Sequence, residues 1–259
     1  MDGGRRLRRD VGLVYWSRAV SANLDPRRIS TAVVFAAIGE GWRCLRHCLQ
    51  PAVALAGVFA ALGLLIHGLL WRFGLTSMML PFAGGFLLVG PAVLAGFFGL
   101  RRAYGAGRRA VLADALAGFR QAPRGLWVMA AVCTLLLMIW LTDAATVYSF
   151  MIGGDVPTPA QVLRFHAFTS VMGAVLAFIV FCVSAFSIPL LFDRRATLVP
   201  AVSASVRAVF GNFAALLVWA LTLAGALIAT ALCPPLLLLS LPCLAFASDL
   251  LYLEIFPPD

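Results

Sequence analysis

Two histidines and one aspartate, His67, Asp143 and His166, are the residues of this chain whose types suit proton transfer or metal ligation. Each falls near the outer end of an apolar stretch, where an ionisable group is costly and a functional role is the default reading. Clustered, they would form a proton relay or hold a divalent cation facing the periplasm. Separate, they would only touch headgroups or water. They lie on three different stretches and have no motif spacing, so the separate arrangement is the expectation and no metal is assigned. Asp249, inside an apolar run, is a fourth candidate, and Asp193-Arg194-Arg195 close another such run. These four residues read as a salt-bridge hub on the cytoplasmic side, with Arg194, Arg195 or Arg207 as the partner of Asp249.

Cys44 and Cys48 share one helical face with His47 between them, but a metal site would need ligands that do not occur nearby, and the order is not that of haem attachment. A phosphate-binding Walker loop, an HExxH zinc motif and a Gly-x-Ser-x-Gly nucleophile elbow are all missing. No catalytic residue and no cofactor is therefore assigned. The remaining candidate is backbone chemistry. Pro81, Gly84, Gly85, Gly90 and Pro91 interrupt one long apolar stretch, and a broken helix bares carbonyls and amides that a substrate can use. A kinked structural helix would carry the same residues.

The elements that position these groups are legible from hydropathy. Of 259 residues 62% are hydrophobic and 12% charged, far from the composition of a soluble domain. A spanning helix needs about 20 apolar residues. That rule marks six spans, at about 51–71, 73–100, 125–147, 167–192, 208–232 and 236–252. Together they form an all-α transmembrane domain over 51–256, preceded by a cytoplasmic arm over 1–50 that carries an interfacial amphipathic helix. The Gly153-to-Pro159 segment between spans three and four is turn chemistry. The basic start up to Arg9 lacks an apolar run long enough for a cleavable signal.

All 20 basic residues are arginine. With the N-terminus inside, eighteen fall on inner segments and two, Arg72 and Arg164, on outer ones. Shifting the count by one span destroys this asymmetry, so the positive-inside rule supports six spans with both termini cytoplasmic. The net charge of +9 points to an anionic leaflet rather than to nucleic acid. Arg27-Arg28, Arg101-Arg102 and Arg194-Arg195 each precede a short amphipathic segment and a pair of spans, which reads as three repeats of interfacial helix plus hairpin. Basic loops between hairpins would look the same. In the middle segment Val111, Leu112, Ala115, Leu116 and Phe119 share one face. The pairs Gly57/Ala61, Ala92/Gly96, Gly173/Ala177 and Gly225/Ala229 permit close helix packing. Trp16, Trp42, Trp71, Trp127 and Tyr104 read as interfacial anchors, and Trp140 and Trp219 as packing residues.

Several runs carry a family resemblance. They are Gly41-Trp42 ahead of Pro51, Leu80-Pro81-Phe82-Ala83-Gly84-Gly85 through Gly90-Pro91, Asp114-Ala115-Leu116, Ser187-Ile188-Pro189 through Arg194, and Ser205-Val206-Arg207 to Asn212 and Trp219. From about Gly41 to Ala231 the chain resembles a bacterial family of predicted multi-pass integral membrane proteins, a domain of unknown function. Its ending from Cys243 departs from the His- and Trp-containing one of that family. The resemblance implies an inner-membrane location and brings no established activity. The expected function is a non-enzymatic accessory or assembly subunit that binds another membrane protein or complex. The alternative is a small transporter or channel built on the broken second span.

Overall fold

The computed structural model describes residues 24–79, 82, 90–152 and 158–258. Residues 1–23 of the expected cytoplasmic arm, Trp16 among them, residues 153–157 and Pro81, Gly84 and Gly85 of the expected second span lie outside the described residues. Those described are helical, with no strand among them.

The order of helices is short, then long. A short helix α1 (Thr31–His47) leads into α2 (Leu49–Arg72). Helix α3 (Gly90–Gly105) covers the end of the second expected span, and the short α4 (Leu112–Gln121) leads into α5 (Arg124–Ile152). Then come α6 (Pro159–Ser184), the one-and-a-half-turn α7 (Ser187–Phe192), the short α8 (Leu198–Gly211), α9 (Phe213–Leu232) and α10 (Leu237–Ile255). Five stretches are long and apolar enough to cross a bilayer: α2, α5, α6 with α7, α9, and α10 with its leading turn from Pro234. A polytopic helical bundle of about six spans is consistent with them.

Local chemistry explains where the boundaries depart from hydropathy. The fourth span begins at Pro159, eight residues ahead of the expected 167, because Thr158 and Gln161 form a capping box: the Gln161 N–H donates to Thr158 Oγ1 at 3.3 Å and the Thr158 N–H to Gln161 Oε1 at 2.9 Å. It breaks before Ser187, since Pro189 has no N–H to offer the Ala185 carbonyl and its ring crowds that oxygen. The fifth span starts at Phe213, not 208, because Asn212 leaves helical geometry and separates α8 from α9.

Each short helix is tied to a span by one or two residues: α1 to α2 through Cys48, α4 to α5 through Ala122 and Pro123, α8 to α9 through Asn212. Each also rests on the helix that ends the preceding pair, α4 on α3 and α8 on α6, and the order closes on itself because α10 packs along α1. A small residue marks each of these contacts. A Cβ on Gly41 would lie 2.7 Å from the Cys243 carbonyl oxygen and 2.9 Å from the Ala247 nitrogen of α10. Gly118 and Gly99 bring the backbones of α4 and α3 together, so that a Cβ on either would overlap the other helix's carbonyls at Ala95 and Asp114. Ser205 of α8 donates to the Cys182 carbonyl at 2.8 Å and accepts from the Phe186 N–H at 3.1 Å. The residues following the three contacts align as Gly41-Trp42-Arg43, Gly118-Phe119-Arg120 and Ser205-Val206-Arg207. This order of elements matches the threefold pattern of short helix and hairpin.

The core lies where these contacts converge. Trp219, Tyr252, Phe97, Phe98, Phe186 and Phe246 are fully buried there. Trp42, Trp71 and Trp127 are exposed, as anchors at a lipid interface would be.

Candidate functional site

The ends of three spans meet in a cluster of charge. Arg101 and Arg102 stand in the last turns of α3, Asp193 to Arg195 follow α7, and Asp249 lies in α10. Arg101 Nη1 sits 2.8 Å from Asp249 Oδ2, with both side chains largely buried, at 19% and 11% exposure. Arg102 pairs with Asp193 and places its guanidinium 4.3 Å from the centre of the Phe192 ring. Arg195 closes off the C-terminal end of α10, donating to the carbonyls of Phe256 at 2.6 Å and Pro257 at 2.8 Å, and to Tyr252 Oη at 3.2 Å. The carbonyl of Phe256, the C-cap, is among the orphan acceptors that every helix end leaves behind.

Backbone geometry holds this corner. The N–H of Arg195 reaches back to the Leu190 carbonyl and that of Arg194 to Leu191, closing α7. Such a closure places the residue after the helix in the left-handed region, and Arg194 is there with φ +57°. The ends of α2 and α3 close in the same way with glycine, at Gly74 and Gly107. Arg194 is thus the one non-glycine at positive φ among the described residues, and its guanidinium donates to the Gln121 carbonyl at 3.3 Å, linking this corner to the end of α4.

The structure brings Asp193, Arg194, Arg195 and Asp249 to one corner, with a partner for Asp249 other than those expected. Asp249 is bound by Arg101, not by Arg194, Arg195 or Arg207; Arg207 instead donates to the Leu24 carbonyl at 3.3 Å. Arg101, Arg102 and Tyr252 are the members that sequence reasoning missed. A lone aspartate inside a span must find a cation, but eighteen arginines fall on the inner segments and no helical register chose between them.

A second polar knot lies beside it. Asn212 accepts from the Ile29 N–H at 2.7 Å and donates to the carbonyls of Arg27 at 3.1 Å and Ala208 at 3.2 Å. The Arg27 N–H donates to the Ile255 carbonyl at 2.9 Å, so the segment before α1 is laced to both α8 and α10.

The outer candidates behave differently. His67 uses Nδ1 on its own helix, 2.8 Å from the Gly63 carbonyl. Asp143 is exposed on α5, which runs nine residues beyond it. His166 packs its ring 5.3 Å from that of Phe165 and has a buried Nδ1 without a hydrogen-bond partner. Among the described residues no three His, Cys, Asp or Glu side chains come together as a group able to hold a metal ion, so His67, Asp143 and His166 do not form one. Of the residues marking the broken second span, Gly90 and Pro91 open α3 and the others lie outside the described residues. Cys44 and Cys48 are buried against each other; the hydrogen bond that the Cys44 thiol donates to Cys48, together with burial, pushes the Cys44 thiol well up, which leaves it a poor nucleophile or ligand.

Long apolar helices, a charged hub at one level and short helices hinged to the spans define a polytopic α-helical integral membrane protein. Residues 79–193 match the family described as predicted integral membrane protein (DUF2189), a domain of unknown function. No curated protein and no solved structure gives a match to the chain.

Proposed function

We propose that the chain is a non-enzymatic accessory or assembly subunit of a larger membrane complex, seated in a bacterial inner membrane with its arginine-rich end in the cytoplasm. The observation that carries this reading is the tip of the α5–α6 hairpin. These helices have 29 and 26 residues, against 24, 20 and 19 for α2, α9 and α10. A 29-residue helix is about 43 Å long, while the hydrocarbon core is about 30 Å thick. Taking about 20 residues from the arginine-rich end of each helix leaves residues 144–152 and 159–164 beyond the lipid. At that tip Phe150 is 86% and Leu163 71% exposed. Large apolar side chains left exposed outside the hydrocarbon mark a surface that another protein covers.

The test is a mild-detergent pull-down from native membranes, with the double variant Phe150→Ser/Leu163→Ser beside the wild type. The wild type is expected to bring down a stoichiometric partner, and the variant to lose it about tenfold or more at equal protein level, the size of effect typical of interface anchors. A wild type that runs alone, or a variant that keeps its partner, overturns the proposal.

Orientation has its own test in the cysteines. Cys233, in the turn after α9, is exposed while Cys44, Cys48, Cys133, Cys182 and Cys243 are buried. A membrane-impermeant maleimide added to spheroplasts is expected to label Cys233 alone. Labelling that appears only after permeabilisation would invert the proposed topology.

A further inference from the structure

We propose that the short helix α4 with its flanking residues is a binding site for anionic phospholipid, seated in the leaflet at the arginine-rich end. The helix has two apolar faces of different kind. Ala115 and Gly118 are buried on α3, whereas Val111, Leu112 and Leu116 stand 48%, 46% and 55% exposed. Leu112, Leu116 and Arg120 follow at spacings of four, so they form one stripe along the open side. Arg109 lies just ahead of this stripe, and Arg124 opens the next helix three residues beyond the end of α4.

Three features commit this face to lipid. First, α4 is joined to the span α5 by only Ala122 and Pro123, which holds it at the depth where that span enters the bilayer. A stripe with arginines at its ends and leucines at its middle suits that boundary and neither water nor hydrocarbon alone. Second, the charge is uncompensated. Arg109, Arg120 and Arg124 are exposed and have no ion-pair partner among the described residues, whereas Arg108 lies 3.3 Å from Asp114. Asp114 is also engaged locally, accepting from the Val111 N–H at 2.9 Å. Third, the guanidinium fork matches phosphate oxygens in geometry as well as in charge. Phosphate headgroups with negative net charge satisfy the arginines while their acyl chains cover Leu112 and Leu116.

Native mass spectrometry of the purified full chain in neutral detergent tests this, with phosphatidylglycerol and phosphatidylcholine titrated separately. The wild type is expected to retain phosphatidylglycerol in preference. Binding should weaken about fivefold per arginine removed in the Arg109→Gln/Arg120→Gln/Arg124→Gln series, given about 1 kcal/mol per basic residue near an anionic surface. The corresponding lysine triple variant, which keeps charge, should retain most of the preference. Arg72→Gln/Arg164→Gln, at the other end of the molecule, should leave it unchanged and so controls for net charge. Equal retention of both lipids by the wild type, or undiminished phosphatidylglycerol on the glutamine triple variant, overturns the proposal. So does loss of a protein partner from the glutamine variant in native membranes without any lipid preference in the pure protein, which would assign the face to protein instead.

Discussion

Asp249→Leu, with Arg101 left in place, is expected to cost about 3–5 kcal/mol of stability, because it strands an arginine in a site that is nearly closed to water. The two side chains retain 11% and 19% exposure, so the field between them is poorly screened. The pair need not be strongly favourable in itself, since desolvation offsets much of the attraction. The double variant Arg101→Met/Asp249→Leu replaces both charges by apolar groups of similar reach and should recover most of the loss. Thermal unfolding in detergent, followed by the fraction of monodisperse protein, gives all corners of the cycle. If the double variant loses the sum of what Asp249→Leu and Arg101→Met each lose alone, the pair is not coupled and the hub is not what joins α3 to α10. The neighbouring Arg102–Asp193 pair is a built-in comparison. Arg102 is 45% exposed, and breaking that pair at Asp193 should cost about 1 kcal/mol or less.

Two glycines only two residues apart should respond with opposite sign. Gly39→Ala is expected to stabilise by up to about 1 kcal/mol, since a Cβ there meets nothing within 4 Å and alanine is the better helix former. Gly41→Ala is expected to destabilise by about 1–3 kcal/mol, and Gly41→Val by more, because the new carbon would press on backbone atoms of α10 that cannot rotate away. The same unfolding assay reads both, and the sign is the informative quantity. A neutral Gly41→Ala would mean that α1 and α10 are not in backbone contact, and the closure of the bundle would have to be redrawn.

Hydropathy made the long helices legible because lipid imposes one demand, about 20 apolar residues in a row, on every span. It could not show which apolar side of a helix meets protein and which meets lipid. The five residues assigned to one face of the middle short segment illustrate this. Ala115 is fully buried and Leu116 is 55% exposed, so the protein-facing side is the one with small side chains. In a bilayer close approach is a matter of size more than of polarity. Small-residue pairs were correspondingly poor guides. Gly96 packs on Phe119 and Leu55, and Gly173 on Trp140, but Gly225 has open space around it. The closest backbone approaches, at Gly41, Gly99 and Gly118, join short helices to spans and carry no four-residue signature within one span. The hub was half legible for a related reason: charge balance demanded a partner for Asp249, and only the register of α3 against α10 selected Arg101.

The contact of α10 with α1 also sets an order in time. Helix α1 precedes every other described helix in synthesis, and α10 follows all of them, so the face centred on Gly41 must wait through the insertion of every intervening span before it is covered. The Arg27–Ile255 hydrogen bond can close only at that moment. A ribosome that stalls ahead of α10 would release a chain with its spans inserted and its first helix bare, a state that membrane proteases and chaperones can recognise as unfinished.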